Sequence, residues 1–201
     1  MEPRDLDDVI LTGAPSRADV SVDLGPALPQ STETACTLAA LVNAAYGYSR
    51  VSSGEMAHRA RTARNRALHV ARVDGKIVGC CSSTLYVPWC GPGCGHWGLL
   101  AVHPEAQGSG VASALVAHAE QRLALAGMSK CQVEYSFYQG DAQCERLMAW
   151  YEGQLGFRGP SSRSSGFRVC RKQIEPLGKL ARWVCCEWFL AILRWLCCGQ
   201  Y

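Results

Sequence analysis

The chain has 201 residues, 48% of them hydrophobic and 18% charged, and a formal net charge of +3. That length holds one sizeable core, and the balance excludes a disordered chain. The charge is too weak, and aromatics too sparse among the basic residues, for a nucleic-acid binder, so no nucleic-acid partner is expected.

The first eight residues are acidic and lack both the apolar stretch of a secretory signal and the Arg-rich look of a transit peptide. A cytoplasmic, reducing setting follows, in which the 12 cysteines are thiols rather than disulfides. Residues 1–17 carry no period and are expected to form a flexible leading segment. Val20, Val22 and Leu24 alternate with polar residues, which predicts a short strand ended by Gly25 and Pro26. Ser31 or Thr32 caps a helix with Leu38, Leu41, Val42 and Ala45 on one face, stopped by Gly47. The run from His58 to Arg66 holds Arg59, Arg61, Arg64 and Arg66. It reads as a solvated helix face or as a wall meeting an anionic part of a ligand.

Strands are predicted at 68–73 and 76–86, joined at Asp74-Gly75, where both residues tolerate positive φ. A Pro-, Gly- and Cys-rich loop spans 87–95, and a buried strand spans 97–102, ending before Pro104. An Ala-rich helix over 111–126 stops at Gly127. A strand follows at 131–137, then a helix capped by Asp141, carrying Leu147, Met148, Tyr151 and Leu155 and ending at Gly156. A last strand covers 167–174. Antiparallel strands with helices inserted late predict an α+β fold, a sheet layered with helices.

The chemistry-bearing stretch begins at Val102. A buried strand ends, and Gln107-Gly108-Ser109-Gly110-Val111-Ala112 opens a helix. The first N–H groups of a helix have no internal partner, and its dipole adds positive potential there. Glycines let a phosphate come close to those donors. The turn contains no cation, so the grip would come from backbone. It lacks the third glycine of a dinucleotide fingerprint and the Gly-Lys-Ser/Thr of a P-loop.

The stretch Leu-Leu-Ala-Val-His-Pro-Glu-Ala-Gln-Gly-Ser-Gly-Val-Ala, from Leu99 to Ala112, resembles the acyl-CoA motif of the GNAT N-acetyltransferases, Gln/Arg-x-x-Gly-x-Gly/Ala, at Gln107, Gly110 and Ala112. Trp-Tyr-Glu-Gly-Gln-Leu-Gly-Phe, from Trp150 to Phe157, resembles the family's second motif, a helix carrying Tyr and closing in Leu-Gly-Phe. The resemblance implies a mostly antiparallel, splayed central sheet flanked by helices, with the GNAT domain over residues 18–177. It implies that Leu100, Ala101 and Val102 pair with the pantetheine arm of acetyl-CoA, while Gln107, Gly108, Ser109, Gly110, Val111 and Ala112 hold the pyrophosphate. The implied reaction moves an acetyl group from acetyl-CoA to a primary amine, on a small molecule or a protein. A non-catalytic acyl-CoA-binding or regulatory module with the same fold is the alternative.

Tyr151 is the candidate acid for the leaving thiolate, by its match to the family tyrosine; from spacing alone it reads as a core tyrosine. Glu134 is the candidate base, on one face of its strand with Gln132 and Ser136. His96 is a second candidate, with a suitable pKa. Cys144 stands where many family members carry an asparagine that bonds the coenzyme. Asn43-Ala44-Ala45-Tyr46 ends the first helix, a region that shapes the acceptor pocket in the family. Cys90, Cys94 and His96 offer too few ligands for structural zinc, so no metal is expected. Residues 178–201 form an apolar run with a narrow charged stripe. As a helix it would pack on the domain or join two copies, or lie at a membrane surface with its paired cysteines as acylation sites; the third reading is a poorly specified extension with no role.

Overall fold

The computed structural model describes residues 20–61, 64–161 and 165–175. The leading segment and the apolar run at 178–201 lie outside them. The chain builds a six-stranded sheet in sequential order, β1 to β6, with β1 Ser21–Leu24, β2 Arg66–Val73, β3 Lys76–Thr84, β4 Cys94–Val102, β5 Lys130–Phe137 and β6 Gly166–Gln173. Every pairing is antiparallel except β4 with β5. Helices α1 (Thr32–Tyr46) and α2 (Ser53–Arg61) cover one face, and α3 (Val111–Leu125) and α4 (Ala142–Met148) the other.

Local chemistry explains most boundaries. Ser31 caps α1 by accepting from the Thr34 N–H at 3.1 Å, and Gly47, with φ 74°, ends it. Asp74 and Gly75 have φ 49° and 76°, the two left-handed positions of a tight hairpin. Asp141 caps α4 at the Cys144 N–H. Asn43 ties the end of α1 to the next loop, accepting from the N–H groups of Arg50 and Val51 and donating to the Val51 carbonyl.

The differences from the sequence reading have physical causes. β4 begins at Cys94 rather than at 97, because Gly95 is a close-packing residue and not a breaker. A Cβ on Gly95 would stand 2.6 Å from Leu123 Cδ2, and one on Gly79 would stand 2.9 Å from Val111 Cγ1. These two glycines seat α3 directly on β4 and β3. β3 ends at Thr84, and the basic run divides: α2 stops at Arg61, and Arg66 starts β2. Beyond Met148 the last helix widens into a π-helical turn, Ala149–Gln154.

A polar chain also fastens α3. Arg122 donates to Ser83 Oγ at 3.0 Å, Ser83 Oγ lies 2.7 Å from His69 Nε2, and His69 Nδ1 lies 2.8 Å from His118 Nδ1. Burial, then His118 and Arg122, push the His69 pKa down to about 3, so the ring is neutral here.

Candidate active site

The site is made by a failure of two strands to stay together. β4 and β5 pair only at Cys94, Gly95 and His96. Just beyond, β4 bulges: Ser82 of β3 faces Gly98 while Cys80 faces Ala101, leaving Leu99 and Leu100 against one residue. Leu99 takes a φ of 51°, left-handed for a non-glycine residue. The bend turns β4 away, and β5 continues paired only with β6. From Trp97 onward the edge of β4 has no β5 partner, so its backbone can pair with an extended amide-bearing chain. Leu100, Ala101 and Val102 lie on that arm. The Val102 carbonyl accepts a long 3.3 Å bond from Gln107 Nε2, so Gln107 fastens the turn to the strand end.

The turn at the top of this arm has the expected shape. Gly108 and Gly110 have φ 80° and 90°, and a Cβ on either would meet nothing within 4 Å, so geometry rather than crowding requires glycine. Ser109 Oγ donates to the Ala106 carbonyl at 2.7 Å. No side chain caps α3, and among the described residues the N–H groups of Val111 and Ala112 find no acceptor. Unpartnered donors of this kind, at the start of a helix, are the type that can bind an anion.

Tyr151 sits across the mouth of the split. Its ring centroid lies 5.8 Å from that of Trp97 on β4 and 4.9 Å from that of Tyr135 on β5. Its hydroxyl makes no hydrogen bond among the described residues. Burial pushes its pKa above the ordinary tyrosine value, with smaller effects from Tyr46 and Cys81. Trp97 Nε1 beside it is buried with no acceptor among the described residues. Tyr46, at the end of α1, comes from the opposite sheet face, half-buried, with Arg50 stacked 4.8 Å above its ring. Burial raises its pKa, partly offset by Arg50.

Glu134 lies on the α1/α2 face of β5, past the last parallel pair. Its Oε1 accepts from Gln132 Nε2 at 2.6 Å, and Gln132 Oε1 accepts from Arg171 Nε at 2.7 Å. His96 shares this face. Burial lowers its pKa below the ordinary 6.5, while the Glu134 carboxylate pulls it back upward. Thus Tyr151 and the Glu134–His96 pair occupy opposite faces of one opening. The sequence reading had not singled out Trp97, Tyr135 or Gln132; only the alternation along β5 hinted at the last. The Cys144 thiol lies 3.7 Å from the Ser136 carbonyl, a weak donor in the asparagine position. Cys90 and Cys94 are buried free thiols, and His96 is edge-on to Trp89 at 6.4 Å. Among the described residues no three His, Cys, Asp or Glu side chains converge as metal ligands.

A parted strand edge, an open helix N-terminus above it and a phenol at its mouth define a coenzyme-A-dependent acyltransferase fold. The profile of the Acetyltransferase (GNAT) family matches residues 37–157, and the chain belongs to that family. It is an N-acetyltransferase, with acetyl-CoA as co-substrate and an amine as acceptor. Among solved structures, it is similar to a protein described as a GNAT acetyltransferase from Desulfovibrio desulfuricans, with 18% identity and a TM-score of 0.60 over 77% of this chain and 98% of that one. The ribosomal-protein-S18-alanine N-acetyltransferase of Escherichia coli is similar at 16% identity and TM-score 0.58, over 78% and 94% of the two chains. So is the PaiA N-acetyltransferase of Thermoplasma acidophilum, solved with coenzyme A, at 14% and 0.56, over 77% and 99%. A search of curated proteins finds no significant match.

Proposed function

We propose that acetyl-CoA lies along the free edge of β4, its pantetheine amides paired with Leu100 and Val102 on either side of Ala101, whose own backbone groups face Cys80 of β3, and its pyrophosphate on the backbone of residues 107–112. The observation that carries this reading is the juxtaposition of an unpaired strand edge, uncapped N–H groups and Tyr151 at the mouth between them. The acceptor is a primary amine, of a small molecule or a protein, entering from the α1/α2 face. Glu134 draws in the ammonium group. His96, kept neutral by burial, takes its proton directly or through water, and Glu134 steadies the resulting imidazolium. The free amine attacks the thioester carbon, and the C–S bond breaks as the tetrahedral intermediate collapses. Tyr151 gives its proton to the departing sulfur, and the surplus proton that the attacking nitrogen sheds as it becomes the amide returns through solvent to the tyrosinate. A phenol whose pKa is raised by burial is fully protonated at neutral pH, which suits an acid.

The eight described cysteines are free thiols, which supports a reducing, cytoplasmic setting. Among the described residues no helix is long and apolar enough to cross a membrane.

The test is thiol release from acetyl-CoA across a panel of amines, for the wild type and Tyr151→Phe. Loss of the acid is expected to lower kcat by about 10²-fold or more, with little change in the KM for acetyl-CoA. Full turnover by Tyr151→Phe would remove Tyr151 from the acid role.

A further inference from the structure

We infer that the hydrogen-bonded chain Arg168–Glu152–Tyr135 positions the Tyr151 ring across the gap between β4 and β5. The consequence for turnover rests on the reading of Tyr151 as the acid; the positioning itself does not.

The chain is built by register and by the π-helical turn. Tyr135 and Arg168 are direct cross-strand partners on β5 and β6, so their side chains share a face. The Tyr135 hydroxyl donates to Glu152 Oε1 at 2.7 Å. Arg168 grips the same carboxylate, with Nε and Nη2 at 3.0 and 2.8 Å from Oε1 and Nη2 at 3.1 Å from Oε2. Arg168 Nη2 also donates to the Pro160 carbonyl at 3.0 Å. The loop can approach because residue 159 is glycine: a Cβ there would stand 2.6 Å from Cys170 Sγ and 2.9 Å from Glu152 Oε1.

The clamp reaches Tyr151 by two routes. Glu152 is the next residue, so holding its carboxylate holds the backbone of the π-helical turn. Tyr135 carries the second route: its hydroxyl is bonded to Glu152 while its ring lies against Tyr151. The turn itself has the longer repeat, with the Leu155 N–H on the Trp150 carbonyl and the Phe157 N–H on the Tyr151 carbonyl. A wide turn has slack that a regular helix lacks, and a directional clamp removes it.

Stability alone is a poor reason for this arrangement. Arg168 is 3% exposed. Burying the guanidinium costs desolvation that a partly exposed carboxylate only in part repays, and well-packed apolar side chains would secure the helix as well. What an ion pair with these bonds adds is direction, fixing the carboxylate and hence the tyrosine beside it.

The experiment uses the full chain with Tyr135→Phe, which keeps the ring and removes one hydroxyl, and Arg168→Lys, which keeps the charge and loses the fork. Each is made alone and combined with Tyr151→Phe. The protein is also labelled with 3-fluorotyrosine, and the Tyr151 fluorine resonance is assigned by its loss in Tyr151→Phe. Both single variants should shift or broaden the Tyr151 resonance. Each should lower kcat by about five- to tenfold, with the acetyl-CoA KM unchanged, and neither should lower it further once Tyr151 is gone. An unmoved Tyr151 resonance in both variants overturns the positioning. Equal kcat losses with and without Tyr151 overturn it too, because the chain would then act elsewhere. If Tyr151→Phe alone turns over at the wild-type rate, the acid reading fails, and the fluorine resonance alone decides whether the chain positions the ring.

Discussion

The two sides of the split are made of different materials. The side proposed for the coenzyme is backbone: a free strand edge, two left-handed glycines and the uncapped first turn of α3. The side proposed for the acceptor is side chain: Tyr46 from α1, His96 from β4, Glu134 from β5, with Gln132 and Arg171 behind it. A backbone device is contiguous and tolerates change in its neighbours. A constellation of side chains depends on register among distant elements. The coenzyme is the same for every acceptor, so the first side can stay fixed while the second is rebuilt.

The comparison predicts separable failures. The largest belongs to the acceptor side. His96→Gln should lower kcat/KM at pH 7 by about 10²-fold, while the acetyl-CoA Kd is unchanged. The wild-type kcat/KM should fall with decreasing pH through the His96 pKa. That limb should lie below the ordinary 6.5, since burial disfavours the charged ring. It should vanish in His96→Gln. In Glu134→Gln it should move to still lower pH, because the carboxylate that raises the His96 pKa is gone. A limb that stays in place in His96→Gln would transfer the base role away from the imidazole.

The coenzyme side should break more modestly and in a different observable. Gly110→Val forces a β-branched residue to φ 90°, at about 1–2 kcal/mol of backbone strain. The turn should flatten, and the acetyl-CoA Kd, read by calorimetry, should rise about tenfold. The pH profile should keep its shape. A shifted acid limb in this variant would mean that the two sides are coupled and the division is wrong.

The same division decides what can be read from the chain alone. Glycine at 108 and 110, Ser31, Asp74-Gly75 and Asp141 announce their structures because the required dihedral or cap is a local matter. The order of elements and the left-handed glycine turn before α3 are legible for that reason. Gly95 was misleading because its role lies across space, under Leu123, where local rules count it as a breaker. The widening of the last helix was hidden because the Leu147, Met148 and Tyr151 spacing fits an α-helix equally well. Nothing in the sequence says that the Tyr135 hydroxyl meets Glu152, which takes the β5–β6 register and the π-helical turn together.

The smallest expected effect tests how the acceptor side is held rather than what it does. Asn43 lies within α1, yet its amide closes the following loop: Oδ1 accepts from Arg50 N–H at 2.8 Å and Val51 N–H at 3.0 Å, and Nδ2 donates to the Val51 carbonyl at 3.0 Å. Val51 is buried, so Asn43→Ala leaves its backbone groups short of partners, at about 1–3 kcal/mol of stability. The loop carries Arg50, whose guanidinium covers the Tyr46 ring. Freed, it lets Tyr46 move at the acceptor mouth while the β4 edge and the α3 turn, on other elements, stay put. Asn43→Ala should therefore raise the KM for the amine several-fold, on the order of a lost hydrogen bond, with the acetyl-CoA Kd unchanged and a lower thermal midpoint. Equal rises in both constants would show that the end of α1 supports the coenzyme as well, and the acceptor side would then reach through the split to the phosphate cradle.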